Sequence, residues 1–363
     1  MLDLCWFFAG LENSDPIVLT WRRALDKKLT RTPLGAGVTQ ITLPEGLTWF
    51  FDFFKSSLLA RSCNAGLYER IQEFKNDRDS DGGGILLTGS PGIGKSWFLM
   101  YTIYRLTAEP SVPAIILHSA KHFSAYWFKP DGTISVIRNP VGVDFIPIVD
   151  KNTWYLYDAN EDADEWFPIR AFTVVAASPN KRHYKGFRKQ MGTMRLCMPP
   201  WTLDELFAVR GVLSPKLKND VLEVTDEEMR KRYEMAGGIP RTVFGSCSDF
   251  AIFLKTQVEQ INKLSFEGIS SLLALNIISD EGGNRRSHAV VKIELGDDDN
   301  GRFVDVKLSF ISTSVAELFL QAKYGSTAAG YRDAMRSALS WHPVWAVSYL
   351  KLDSTNSWSW GAP

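Results

Sequence analysis

The sequence predicts an α/β protein, and three observations favour that fold class. Predicted strands alternate with predicted helices over residues 85 to 198, and a glycine-rich segment separates the first of these strands from the helix after it. The composition is that of a globular protein, because 45% of the 363 residues are hydrophobic and 23% are charged. It excludes a mostly disordered or fibrous chain and provides apolar material for two or more domains.

Charge and cysteine content narrow the functional classes further. Lys+Arg and Asp+Glu both total 41, which excludes a globally basic nucleic-acid-binding protein but leaves a local basic patch open. The four cysteines form no CxxC pair, a pattern typical of a reduced, intracellular protein. No apolar run reaches the roughly 18 residues that span a bilayer, so we expect no membrane association. We also read the N-terminal segment as folded chain and not as a signal peptide.

The pattern along the chain predicts four regions. Apolar residues between Gly46 and Phe74 recur at helical spacing, and a polar, glycine-rich break follows at 77–84. From Pro200 onward the pattern is helical. The predicted regions are an N-terminal helical region (1–80), an α/β core (81–200), a helical lid (201–275) and a C-terminal α/β module (276–363).

The core carries the alternating pattern. A hairpin is predicted around Asp131-Gly132, and the other strands alternate with helices, which implies a largely parallel sheet covered on both faces. The predicted strands of the core are 85–88, 113–118, 153–158, 172–178 and 194–198.

A glycine-rich motif follows the first of these strands. Residues 89 to 96 match GxxxxGK[ST] without deviation, between the strand ILLT and the helix WFLMYTIYRL. Such a loop turns its backbone N–H groups around a phosphate chain at a helix N-terminus, so the sequence predicts a nucleotide site of the P-loop type. We expect Lys95 to reach the β- and γ-phosphates and Ser96 to bind Mg²⁺. The predicted nucleotide-binding residues here are Gly89, Ser90, Pro91, Gly92, Ile93, Gly94, Lys95, Ser96 and Trp97.

The partner of this motif is an aspartate at the end of a buried strand. Asp158 ends the segment TWYLYD and is predicted to hold Mg²⁺, largely through water. Glu161 or Asn160 would orient the attacking water. The alternative is that the acidic run EDADE, which begins at Glu161, forms a solvated loop.

One further strand lies between the P-loop and the Asp158 strand in sequence, an order that resembles the additional-strand class of P-loop ATPases. In that class the strand FTVVAAS takes the place of a sensor strand, and Ser178 and Asn180 at its end become candidates for contact with the γ-phosphate. A simple Ser-Pro-Asn turn would produce the same residues.

Two features after this strand bear on specificity and catalysis. His183 stands where a guanine-binding NKxD motif requires an aspartate, which favours ATP over GTP. The following basic cluster includes Arg182 and Arg188 as candidates for an arginine finger. The same cluster could bind a nucleic-acid backbone or form a solvated helix face.

A second glycine pair lies in the helical region. Residues 237–241 read GGIPR, and in the helical lids of related ATPases such an element packs over the nucleotide. Pro240 and Arg241 are therefore predicted to contact the nucleotide, with Arg241 coupling lid closure to hydrolysis.

Weaker signals suggest metal or nuclease chemistry. His118 and His122 are spaced as metal ligands often are, but they lack a third ligand. Glu294, Asp305 and Lys307 have the form of a restriction-type nuclease strand pair, and charged and apolar residues alternating on an exposed hairpin give the same string.

Together, the segments GILLTGSPGIGKSWFLMYTIYRL, MPPWTLDEL, GGIPR and SHAVVKIEL resemble the Crinkler effectors of oomycetes and fungi. The same block is similar to the retrotransposon hot spot proteins of trypanosomes, and the resemblance covers about residues 84 to 320. It implies an ATPase module with ATP and Mg²⁺ as ligands, and it carries over Gly94, Lys95, Ser96 and Asp158, together with Pro240 and Arg241. No translocation header and no nuclease domain of the family are recognised.

The resemblance also implies a setting for the chain. Such effectors are secreted into a host cell and many act in the nucleus, so the implied partners are double-stranded DNA, host nuclear proteins or a second copy of the chain. The alternatives to a plain ATPase are a nucleotide-gated effector that binds or cuts DNA and a nucleotide-binding switch with little hydrolysis. A small-molecule kinase is disfavoured because no acceptor site is recognisable.

Overall fold

The computed structural model describes residues 8–10, 21–22, 29–49, 56–77, 83–119, 124–138, 150–159, 170–178, 187, 192–213, 225–265, 287–296 and 299–324. The strands in this part of the chain are β1 (Phe8–Gly10), β2 (Thr30–Gly35), β3 (Val38–Thr42), β4 (Ser57–Ala60), β5 (Gly84–Thr88), β6 (Ile115–Ser119), β7 (Ser124–Phe128), β8 (Ile134–Arg138), β9 (Trp154–Asp158), β10 (Phe172–Ala176), β11 (Thr193–Cys197), β12 (Val291–Leu295) and β13 (Val306–Phe310). The helices are α1 (Ser62–Asn76), α2 (Lys95–Leu106), α3 (Leu203–Leu213), α4 (Asp226–Ala236), α5 (Pro240–Val243), α6 (Cys247–Lys263) and α7 (Thr313–Tyr324).

The centre of the molecule is an eight-stranded sheet in the order β1-β8-β7-β6-β9-β10-β5-β11. The five strands from β6 to β11 in this order run parallel, and the β7–β8 hairpin with β1 extends the sheet in antiparallel fashion. The prediction of an α/β fold with a mainly parallel sheet is confirmed. The predicted hairpin at Asp131-Gly132 is also present, as the turn between β7 and β8.

The order of the parallel strands decides where the functional residues meet. Strand β10 lies between β5 and β9, and its residue Ala176 pairs with Leu87 on one side and with Asp158 on the other. An additional strand therefore separates the strand before the glycine-rich loop from the strand that ends in Asp158, as the sequence predicted. Both segments reach the same edge of the sheet, where the carboxyl ends of the parallel strands lie.

The core strands are apolar because both of their faces are covered. Strands β5, β6 and β10 are buried along their whole length, and helices α1 and α2 pack with them in the main hydrophobic core. Continuous burial explains why these segments read as uninterrupted apolar runs and not as alternating strands.

The N-terminal region differs from the predicted helical region. Strands β2, β3 and β4 form an antiparallel sheet, and among the described residues of the stretch 46–74 (46–49 and 56–74) helix begins at Ser62. Strand β4 alternates between buried and half-buried residues, with Leu58 and Ala60 facing the core. A four-residue strand in front of an amphipathic helix adds apolar residues that fit the helical period by chance, which explains the wrong prediction.

The described residues beyond α6 pack against helices α4 and α6, which belong to the predicted lid region. Helix α7 contacts α6 and α4, and Lys323 Nζ donates to the carbonyl of Asn262 at 2.9 Å. Gln257 Nε2 on α6 donates to the carbonyl of Ala289, just before β12, at 2.6 Å. Helix α7 and Phe310 at the end of β13 therefore share the main core with α4 and α6, while Ile293, Val306 and Leu308 of the hairpin pack with Cys197 of β11. Among the described residues, no helix is long and apolar enough to cross a bilayer.

Candidate nucleotide-binding site

A glycine-rich loop connects β5 to α2. Gly89, Gly92 and Gly94 adopt φ angles of 141°, 84° and 107°, which side-chain-bearing residues rarely adopt. A Cβ at Gly92 would lie 3.0 Å from Cβ of Arg241. Glycine, which has no side chain, therefore lets the loop pack closely against the segment that carries Arg241. The loop leads directly into the N-terminus of α2 at Lys95. This is the geometry that binds phosphate through backbone N–H groups and the helix dipole.

Lys95 lies buried at the base of this loop. Its Nζ donates to the carbonyls of Gly89 at 2.8 Å and Ser90 at 2.9 Å, so the ammonium group is held under the loop. Burial is the main cause that lowers the pKa of Lys95 to about 8; the positive charge of Arg241 acts in the same direction, while Cys197 and Asp158 act in the opposite direction. A desolvated ammonium group in this position is a strong partner for an anion.

Ser96 and Asp158 meet directly. The Ser96 hydroxyl donates to Asp158 Oδ1 at 2.8 Å, between the start of α2 and the end of β9. A hydroxyl and a carboxylate are oxygen donors of the kind Mg²⁺ takes when phosphates and water complete its shell. The described residues hold no cluster of three His, Cys, Asp or Glu side chains that would form an all-protein metal site. The donor set therefore fits a metal bound together with a phosphorylated ligand.

The residue after Asp158 carries no catalytic group. It is Ala159, whose N–H donates to the carbonyl of Ala176 on β10 at 2.9 Å. Asn160 and Glu161, the predicted water-orienting residues, lie outside the described residues. Their roles stay predictions.

Of the predicted sensor and arginine-finger residues, one is described by the structure and three are not. Ser178 is half-buried and follows β10, the strand between β5 and β9, so it lies at the correct edge of the sheet. Asn180, Arg182 and Arg188 lie outside the described residues. Of the basic cluster, the structure describes Arg195, which is exposed on β11.

The GGIPR element lies against the loop. Pro240 begins the short helix α5, and a Cβ added to Gly92 would also lie 3.1 Å from a methyl carbon of Ile239. The structure thus brings Arg241 to the glycine-rich loop, with its side chain exposed, and its predicted contact with the nucleotide stays a prediction. Trp97, in contrast, is half-buried on α2 and packs on the core.

The loop also has a contact that the sequence did not indicate. Ser90 is 2% exposed, and its Oγ accepts a hydrogen bond from the N–H of Ile293 on β12 at 2.9 Å. The carbonyl of Phe303, from the turn after β12, accepts from the N–H of Cys197 on β11 at 2.7 Å. The C-terminal hairpin therefore closes one side of the loop.

A second set of residues that the sequence did not identify packs against the loop. Trp201 donates its Nε1–H to the carbonyl of Ile93 at 2.8 Å, and Arg61 lies 4.7 Å from the Trp201 ring centroid. Arg61 forms a buried bidentate pair with Glu205, with distances of 3.0 and 2.8 Å. The one available signal was the capping pattern Thr202-x-x-Glu205, which predicts a helix start but not these partners.

The weaker candidates do not form sites among the described residues. His118 is buried, and its Nδ1 lies 2.6 Å from Tyr155 Oη, while His122 lies outside the described residues. Glu294 pairs with Lys292 at 2.9 Å and lies 3.9 Å from Lys307. These lysines balance the carboxylate, an arrangement that fits a structural ion pair better than a nuclease metal site.

No protein-family model and no curated protein matches this chain. Among solved structures, the chain is similar to the RuvB Holliday junction branch migration motor of Thermotoga maritima, with a TM-score of 0.29 and 17% sequence identity over 61% of this chain and 70% of that chain. At this score the likeness adds nothing to the assignment of the fold, which rests on the strand order and the loop geometry.

Proposed function

We propose that this protein is a Mg²⁺-dependent ATPase. The observation that carries the proposal is the hydrogen bond between Ser96 and Asp158, next to the buried ammonium group of Lys95. The three side chains converge from α2 and β9 on the point where the glycine-rich loop would hold the β- and γ-phosphates.

The described side chains have distinct parts in this reaction. Backbone N–H groups of the loop and the N-terminus of α2 bind the phosphate chain, and Lys95 leaves the carbonyls of Gly89 and Ser90 to offset charge on the β- and γ-phosphates. Ser96 and Asp158 hold Mg²⁺, which when bound stabilises the negative charge of the transferring phosphoryl group. Arg241 adds positive charge from the lid. The water is oriented by Glu161 or Asn160, which lie outside the described residues.

A nucleotide-binding switch with little hydrolysis is the second candidate. Ala159 favours it, because the residue directly after Asp158 supplies no group that could accept a proton from water. In this case the protein binds ATP through the same residues and uses the lid contact at Arg241 to set a conformation.

The setting of this activity is also part of the proposal. The sequence segments that resemble Crinkler effectors support a role as the ATPase module of such an effector, secreted into a host cell and acting in its nucleus. Double-stranded DNA, host nuclear proteins or a second copy of the chain are then its partners. The missing NKxD aspartate supports ATP over GTP.

Phosphate release from ATP and GTP, measured with Mg²⁺ and with or without double-stranded DNA, tests the proposal. Lys95→Ala is the test variant, and Lys151→Ala, an exposed residue before β9, is the matched control. We expect ATP turnover in the wild type and the control and its loss in Lys95→Ala. ATP binding without turnover would support the switch, and the absence of ATP binding would overturn both candidates.

Stimulation by DNA that falls steeply with salt would place nucleic acid among the partners. Turnover that is unaffected by DNA would count against a DNA-acting effector and leave the ATPase proposal intact.

A further inference from the structure

Trp201 contacts the glycine-rich loop through its side chain. The residue is 6% exposed, and its Nε1–H donates to the carbonyl of Ile93 at 2.8 Å in a buried hydrogen bond. Ile93 lies between Gly92 and Gly94, at the point where the loop turns into α2. The indole therefore holds one peptide of the phosphate-binding loop.

The direction of this peptide matters for anion binding. In a planar trans peptide, the carbonyl of one residue and the N–H of the next point in opposite directions. A bond that fixes the Ile93 carbonyl toward Trp201 therefore fixes the Gly94 N–H in the opposite direction, away from Trp201. An N–H group fixed before the ligand arrives binds a phosphate without the cost of reorientation.

The indole is itself held by a buried ion pair. The Arg61 guanidinium stacks over the ring, donates to both Glu205 carboxylate oxygens, and donates to the carbonyls of Pro199 and Pro200 at 2.8 Å each. The side chains of Arg61 and Glu205 are 4% and 7% exposed. These hydrogen bonds fix the plane of the guanidinium, and the guanidinium in turn fixes the orientation of the indole ring that it stacks on.

The main chain of the same residue contacts the lid. The Trp201 N–H donates to the carbonyl of Gly238 at 2.9 Å. A Cβ at Gly238 would lie 1.9 Å from the Trp201 carbonyl oxygen, so the two backbones are in direct contact. Gly238 belongs to the GGIPR element that carries Arg241. One residue thus joins the loop at Ile93 to the lid at Gly238.

From this geometry we propose that Trp201 is a positioning residue for the nucleotide phosphates and links their binding to the lid. Its side chain orients the Ile93–Gly94 peptide toward the phosphates, Arg61 and Glu205 orient its ring, and its main chain transmits the position of the loop to Gly238. The inference rests on the proposed function, since it concerns how the same site binds ATP.

Trp201→Phe tests the side-chain part, because phenylalanine keeps an aromatic ring under Arg61 but has no N–H donor. The matched control is Trp21→Phe, since Trp21 is also buried and donates its Nε1–H to a main-chain carbonyl, that of Lys129 just after β7, at 3.1 Å. Dissociation constants for Mg²⁺-ATP and for inorganic tripolyphosphate are measured by calorimetry, and the folded state is checked by thermal unfolding.

We expect Trp201→Phe to weaken both ligands by about tenfold, as for a buried carbonyl left without a donor, while Trp21→Phe binds them as the wild type does. Equal weakening in the two variants, or wild-type affinity in Trp201→Phe, would overturn the inference and leave the proposed function standing. A wild type that binds neither ligand would overturn both.

Hydrogen exchange of the wild-type protein tests the link to the lid and requires no variant to fold. On addition of Mg²⁺-ATP, we expect protection in the loop (89–96) and in the segments around Trp201 and Gly238. Protection that stays confined to the loop would contradict the link. Lys95→Ala provides the background, because it is expected to show no ATP-induced protection in any of the three segments.

Discussion

The Ser96 hydroxyl lies 2.8 Å from Asp158 Oδ1, and this hydrogen bond joins two elements whose residues are 62 positions apart in the chain. Ser96 is the second residue of α2, and Asp158 is the last residue of β9. The two residues meet although β10 lies between β5, the strand before the glycine-rich loop, and β9 in the sheet. The bond places the pair that we propose to bind Mg²⁺ beside Lys95.

Asp158→Asn is expected to keep the hydrogen bond from Ser96, because the amide oxygen accepts as the carboxylate does, but to lose the negative charge. We expect ATP turnover to require about tenfold more Mg²⁺ or to be lost, since a neutral amide is a poorer ligand for a hard cation. Titration of phosphate release with Mg²⁺ measures this. Asp150→Asn, an exposed residue just before the same strand, is the control, and an unchanged Mg²⁺ dependence in Asp158→Asn would contradict the assignment.

The affinity for ATP is expected to fall as the pH rises through about 8. Burial lowers the pKa of the ligand-free Lys95 to about 8, and bound phosphates favour the charged form and raise it. Because the pKa is higher in the complex, the contribution of the ammonium group is complete below pH 8 and decreases above it. Dissociation constants for Mg²⁺-ATP at a series of pH values test this. Lys95→Ala should lack the decrease, and a wild-type affinity that stays constant up to pH 9.5 would be inconsistent with it.

Glu205→Gln is expected to destabilise the fold by about 3–5 kcal/mol, because it leaves the buried guanidinium of Arg61 without its carboxylate. Chemical denaturation monitored by circular dichroism measures the change. Glu227→Gln is the control, since it breaks an exposed pair with Lys231 on α4 and should leave the midpoint unchanged. Equal midpoints for wild type and Glu205→Gln would show that the buried pair contributes little.

Gly238→Ala is expected to displace the lid from the segment at Trp201, because the new Cβ would lie 1.9 Å from a main-chain oxygen. We predict a lower melting temperature together with loss of ATP turnover. Gly211→Ala is the matched control: Gly211 lies in α3, a Cβ there meets no atom within 4 Å, and alanine should stabilise the helix by about 0.5–1 kcal/mol. Wild-type turnover in Gly238→Ala would argue against a close lid contact.

Local sequence patterns were sufficient to predict the strands at the centre of the fold. The strands β5, β9 and β10 lie within two residues of their predicted bounds because continuous apolar runs bounded by polar or glycine residues identify buried strands. The same patterns failed at β4, where a short strand precedes α1 and its apolar residues also fit a helix. Secondary structure in that region depends on pairing with β3, which the sequence of β4 does not encode.

The sequence by itself determined the conformation of the glycine-rich loop, since glycines at fixed spacing between a strand and a helix allow few other backbone conformations. It also determined the positions of Lys95, Ser96 and Asp158, because the first two directly precede a predicted helix and the third ends a predicted strand. Only the tertiary structure decided that Trp201 lies against Ile93, 108 positions away, that Arg61 pairs with Glu205, 144 positions away, and that Ser90 accepts from Ile293, 203 positions away. The partner of a buried polar group is set by which elements pack together, and that packing depends on side-chain shape across the whole core, whereas the loop is set by backbone geometry within eight consecutive residues.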